Sequence, residues 1–235
     1  MRHTNPLTTL LTLVLTVVAL VACAPATQAS VDEPPAATEA AEPAETTETA
    51  GALPAAITVT IQNHDGRPYG VYGYIQNVSR TDRNASIVGA GQVDENGELT
   101  LILATPDPST LLPLAHVTPE HLSDPNAAFQ SMTLRAVGGD DLRIEIATDL
   151  ETAGRNDDRA GDRRGTLVYV DRDVTIDAER VGPPDRLVTW RVTLHRGWNF
   201  LIKEVATADE NGHERVYRVA HPNDLDWYLV PAQEN

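Results

Sequence analysis

At 235 residues, with 34 Asp+Glu against 18 Lys+Arg and a formal net charge of −16, the chain disfavours phosphate backbones and argues against nucleic-acid binding. Its charge suits cations or basic partners instead. A single cysteine allows no internal disulfide, so any folded body must rely on its core, and only 5% of residues are aromatic.

The chain opens with Arg2 and His3, followed by an apolar run from Leu7 to Ala22. A spanning helix needs about 20 apolar residues, so this run suits the hydrophobic region of a signal peptide, residues 1–22. It ends in Leu20-Val21-Ala22-Cys23, which resembles the lipobox of bacterial lipoproteins, and Cys23 is the only cysteine. The resemblance implies cleavage before Cys23, a thioether-linked diacylglycerol on its sulfur, and often a third acyl chain such as palmitate on the new amino terminus. One acyl chain binds a bilayer marginally, at about 0.8 kcal/mol per buried methylene, whereas two or three hold it firmly. Loss of the first 22 residues removes Arg2 and no acid, leaving 17 basic against 34 acidic residues.

From Cys23 to Pro54 the composition turns to Ala, Pro, Thr and Glu without Lys or Arg. Asp32, Glu33, Glu39, Glu42, Glu45 and Glu48 repel one another and little apolar surface accompanies them, which predicts a disordered tether. About thirty such residues reach roughly 30 Å as a coil.

Residues 55–235 read as an exported all-β domain. Ile57–Ile61 alternates apolar and polar residues with the period of a half-buried strand. Asp65-Gly66-Arg67-Pro68 is a turn, then strands follow at Val71–Ile75 and Ile87–Val93. Asp94-Glu95-Asn96-Gly97 joins the latter to Leu99–Leu103 as a hairpin. Pro106 to Gln130 breaks the rhythm. Thr118-Pro119 and Asp124-Pro125 each place a capping residue before proline, predicting one or two short helical turns. Strands resume at Met132–Val137 and Leu142–Ala147, and Arg155–Arg164 reads as a charged, solvated loop. Thr166–Val170, Leu187–Leu194, Trp198–Val205, Arg215–Val219 and Trp227–Val230 complete the pattern. Strands at this spacing predict antiparallel sheets in a β-sandwich, as one sandwich or as two packed β subdomains with a boundary within residues 106–131. Tyr169, Trp190, Trp198 and Trp227 are the expected large anchors.

Gly66-Arg67-Pro68-Tyr69-Gly70 and the segment from Asp94 to Leu101 resemble the transthyretin-like or carboxypeptidase-regulatory-like sandwiches, which implies a supporting or binding role without a catalytic set. Tyr169 to Val174, Gly197-Trp198-Asn199 and Asp226-Trp227-Tyr228 are similar to a pattern in uncharacterised bacterial envelope lipoproteins, which implies location but no activity.

Few residues suggest chemistry. Asp171 and Asp173, two apart on an expected strand, share a face and could serve a cation or acid–base work, with His221 as a partner. The alternative is a solvated strand edge. Asn156-Asp157-Asp158 to Asp162 hints at calcium, but Arg159 and Ala160 interrupt the ligand spacing and arginines flank it. His116, His121, His195, His213 and His221 lack zinc-site spacing, and no nucleophile elbow, phosphate loop or dinucleotide fingerprint is present. The sequence therefore predicts no metal and no cofactor. It reads first as a membrane-anchored module facing the periplasm or cell exterior, bound to membrane lipid through Cys23 and to an envelope protein or glycan. The alternatives are an envelope hydrolase or metal-dependent enzyme using Asp171, Asp173 and His221, and a purely structural envelope protein.

Overall fold

Alternating inward Val, Leu and Ile with outward Thr and charged residues dictates the architecture of the computed structural model, which describes residues 51–75, 85–114, 119–138, 141–183, 185–210 and 212–232. The apolar run, the lipobox residues Leu20, Val21 and Ala22, Cys23, the tether to residue 50, His116 and Thr118 lie outside the described residues.

The first four strands are β1 (Ala56–Thr60), β2 (Tyr69–Ile75), β3 (Ser86–Val93) and β4 (Glu98–Leu103). Both expected turns form. Gly66 and Gly97 adopt φ of 84° and 83°, a conformation that costs glycine little. Asp94 locks the hairpin by accepting the Asn96 and Glu98 N–H groups at 2.9 and 2.8 Å.

The excursion holds two 3-10 turns, Pro108–Thr110 and Pro119–His121, and two short strands, β5 (Leu112–Pro113) and β6 (Ala128–Ser131). Pro119 opens a helical turn as expected, and Asp107 caps the earlier one through the Ser109 N–H at 2.8 Å. Next come β7 (Thr133–Val137), β8 (Asp141–Ala147) and one short helix, α1 (Leu150–Gly154), whose N-cap Asp149 accepts the Thr152 N–H at 2.7 Å. The remaining strands are β9 (Arg163–Val170), β10 (Val174–Val181), β11 (Arg186–Leu194), β12 (Gly197–Asp209), β13 (Gly212–Val219) and β14 (Asp226–Pro231).

The fold is all-β. Its strands run in the order β1-β4-β3-β2-β7-β8-β9-β12-β13-β11-β10, with β14 beside β8 and β6 beside β9. Strand pairing is antiparallel except between β11 and β13, where β13 turns back from β12 and inserts next to β11. The far end of β1 meets β14: Ile61 bridges Trp227, and the Asn63 side chain exchanges two hydrogen bonds with Leu229 at 2.7 and 2.8 Å.

The described chain forms one compact unit with two main cores and a small third cluster of Ala147, Ala153, Tyr228 and Val230. Leu167 and Tyr169 of β9 and Trp198, Phe200 and Ile202 of β12 enter the first core, with side chains from β1–β4, β7, β8 and β14. Val168 and Val170 of β9 and Leu201 of β12 enter the second, with β10 and β11. The two-residue period of a strand thus lets one central pair serve both layers. Residues on both sides of the 106–131 stretch, within 57–103 and from Met132 onward, share the first core, while Leu114 and Ala127 from that stretch pack in the second. Leu53 already belongs to the body: it packs on the first core and donates its N–H to the Trp198 carbonyl at 2.7 Å. Trp198, Trp227 and Tyr169 are buried, whereas Trp190 is half-buried and stacks on Tyr217 with centroids 3.9 Å apart.

Candidate functional site

Asp171 and Asp173 lie in the turn between β9 and β10, not on a strand as the sequence suggested, because the chain reverses immediately after Val170. Each carboxylate holds a different neighbour. Asp171 accepts the Ala128 N–H at 2.9 Å, and the Arg172 guanidinium beside it, followed by the Ala128 hydrogen bond, keeps its pKa below the usual carboxylate range. Asp173 accepts the Arg196 N–H at 2.7 Å, tying the β9–β10 turn to the β11–β12 turn.

His221 belongs to another locus. Its backbone N–H donates to Asp224 at 2.9 Å and its ring accepts the Asn223 N–H at 3.3 Å, capping the 3-10 turn Pro222–Asp224 before β14. No hydrogen bond or ion pair described links it to Asp171 or Asp173. Among the described residues no group of three or more His, Cys, Asp or Glu side chains is placed to hold a metal ion.

The charged loop after α1 is exposed at Asn156, Asp157 and residues 159–161, as the sequence implied, but not at Asp158 and Asp162. Arg155 grips Asp162 with two contacts of 2.6 Å. Asp158, with 10% of its side chain exposed, takes Lys203 at 2.8 Å and Arg215 at 2.7 Å. Burial alone would raise the Asp158 pKa, but these two cations outweigh it and leave the pKa depressed. Backbone hydrogen bonds from Gly161 to Val205 and from Val205 to Asp162 dock the loop on β12. The carboxylates that suggested calcium are thus committed to ion pairs.

A small cleft opens where the sheet splits. Ser131 still pairs with β9, Met132 donates to the Leu167 carbonyl, and β7 then departs to pair with β2 and β8. The triangular gap has a volume of about 170 Å³ and is lined by Thr133, Glu145, Ile146, Gly165 and Thr166 among others. Glu145 is half-buried there, and burial raises its pKa against the opposing pull of Arg143, Arg164 and Lys203. Pockets for organic ligands commonly measure about 300–1,000 Å³, so the cleft suits a few water molecules.

Among the described residues, exposed apolar side chains gather on one sheet face. Tyr72, Ile87, Ile102 and Val137 are 46–64% exposed, and all four project outward from β2, β3, β4 and β7. The ladder aligns one row as Ala56, Ile102, Ala90, Tyr72 and Arg135, and the next as Thr58, Thr100, Gln92, Gly70 and Val137. Strands β1, β2, β3, β4 and β7 together carry one acid, Glu98, and one base, Arg135. In a chain with 34 acids this depletion is local and pronounced. The Arg135 guanidinium stands 5.8 Å from the centre of the Tyr74 ring. Large contiguous apolar patches, and charge depletion within them, mark contact surfaces. A signal for the face exists in sequence: Tyr72 and Ile102 are apolar where strict alternation calls for polar residues.

No family model matches the chain, and neither the curated proteins nor the solved structures contain a significant match. No helix among the described residues is long and apolar enough to cross a membrane.

Proposed function

We propose that the protein is an exported lipoprotein, anchored by acyl chains on Cys23 and facing the periplasm or cell exterior, whose β domain works as a binding module of the envelope. The lipobox spacing and the acidic tether support the location. The binding role is carried by one observation: Tyr72, Ile87, Ile102 and Val137 gather on a single charge-poor face. A catalytic role for Asp171, Asp173 and His221 has no comparable support, since each takes part in a turn or cap.

Mass spectrometry of the mature amino terminus, with detergent phase separation, tests the anchor. The native protein should carry diacylglyceryl-Cys23 and enter the detergent phase, and Cys23→Ser should enter the aqueous phase. Retention of Cys23→Ser in the detergent phase would contradict the acyl anchor. An Ile102→Glu variant that keeps every envelope association of the native domain would contradict the binding face.

A further inference from the structure

We propose that the β1-β4-β3-β2-β7 face docks on the bilayer that carries the lipid of Cys23, so that the domain rests on the membrane instead of hanging free on its tether. This rests on the anchored reading above and adds the identity of the surface that the module binds.

The chemistry of the face suits the boundary between headgroups and acyl chains. Ile87 and Ile102 are 64% and 60% exposed and can enter the outer acyl region. Tyr72 and Tyr74 have apolar rings with polar tips, the type of side chain that collects at membrane interfaces. Thr58, Thr100 and Gln92 fill the intervening row with uncharged polar groups.

Charge selects the orientation. An anionic bilayer repels a domain this acidic through any surface that carries its carboxylates. The five strands carry a single acid, Glu98 at the start of β4, so this side meets the least of that repulsion among the strands.

Area and linkage select the bilayer over a second copy. Four strand spacings of about 4.8 Å by about 17 Å of strand give a projected face of roughly 330 Å². Stable protein pairs bury about 800 Å² of accessible surface per partner, well above the projected area of this face. A weak surface becomes effective when its target is linked to it. Ala56 lies on the face itself, 33 positions after Cys23. A coil of that length spans roughly 30 Å, which sets an effective concentration in the millimolar range. A face whose strands carry a single side-chain amide, Gln92, suits a glycan chain less well.

Full-length protein with its processed amino terminus, reconstituted in phosphatidylethanolamine–phosphatidylglycerol vesicles, provides the test. Acylated Cys23 is unreactive, so Ile102→Cys accepts a single environment-sensitive fluorophore, and Asp177→Cys on β10 serves as the distant control. Both positions are exposed, so neither change disturbs a core. Nitroxide-bearing lipids should quench the probe at position 102 far more than the probe at position 177. Tyr72→Glu should lower the docked fraction about tenfold, as expected for replacing one interfacial apolar contact by a charge. Equal quenching at both positions, in protein whose mass shows the lipid, would overturn the docking and leave the anchor standing. A mass without the lipid would remove both. Shielding of position 102 only on addition of peptidoglycan, or by a second labelled copy in detergent, would also overturn it.

Discussion

Substituting Asp158 by Ala tests whether the charged loop after α1 is a structural clamp. The carboxylate holds Lys203 at 2.8 Å and Arg215 at 2.7 Å. At an effective dielectric constant of 20, each contact is worth about 6 kcal/mol before desolvation is counted. Removing one partner of a fully buried pair costs about 3–5 kcal/mol, mostly from stranding the opposite charge. Here Lys203 and Arg215 keep 20% and 30% of their side chains exposed, so water recovers part of that cost. The expected loss is about 2–3 kcal/mol, or roughly 5–10 °C in Tm for a domain of this size. Urea denaturation measures it. A double-mutant cycle with Lys203→Met should give a coupling of at least about 1 kcal/mol. Half-molar salt should leave most of the effect, since poorly exposed pairs are weakly screened. A loss below about 0.5 kcal/mol, or one that salt abolishes, would show an ordinary surface pair and refute the clamp. The sign with pH follows from the depressed pKa: the contribution is present above the unfolded value of about 3.9 and disappears as pH falls through the lower folded value.

Other expectations follow from the same geometry. Gly165→Ala places a Cβ 2.4 Å from Phe200 Cζ and 2.6 Å from Ile146 Cγ2, and should cost about 1–3 kcal/mol in denaturant titration. Gly154→Ala, with nothing within 4 Å, should be neutral or slightly stabilising in the same assay. Asn199 is fully buried, accepts the His195 N–H at 3.0 Å and donates to the His195 and Gly197 carbonyls. Its replacement by Ala should cost about 2–3 kcal/mol, because it strands these backbone groups, and Tm should fall without a change in pH dependence. For Glu145 the folded pKa is raised, so its favourable contribution is present below the unfolded value of about 4.3 and is lost as pH rises through the folded one. Glu145→Gln should therefore stabilise the domain near neutral pH and flatten its stability profile above pH 4. A profile unchanged by that substitution would contradict the burial of the carboxylate.

Much of the strand ladder was legible in sequence. Ile57, Val59, Leu99 and Leu101 alternate with threonine or glutamate, and a period of two leaves one face for the core whatever the neighbours are. The turns at Gly66 and Gly97 were equally plain, since each requires positive φ. Strand β10 was equally legible, since Val174, Ile176 and Ala178 alternate with Thr175, Asp177 and Glu179, whereas Asp171 and Asp173 fall in the turn that precedes it. Helix α1 has its capping Asp149 but only five residues, too short for a helical period to register.

Local pattern determined that this chain builds a β domain, and where its turns fall, because strand alternation and glycine φ are properties of a few consecutive residues. Only tertiary structure decided what the side chains do. Phe200 and Leu201 face different cores because β12 lies between two layers, a fact that no window of sequence contains. Asp158 reads as a solvated loop residue until the chain brings Lys203, 45 positions away, and Arg215, 57 positions away, to its carboxylate. Likewise Tyr72, Ile87, Ile102 and Val137 are isolated lapses in alternation until the β-ladder sets them side by side on one charge-poor face.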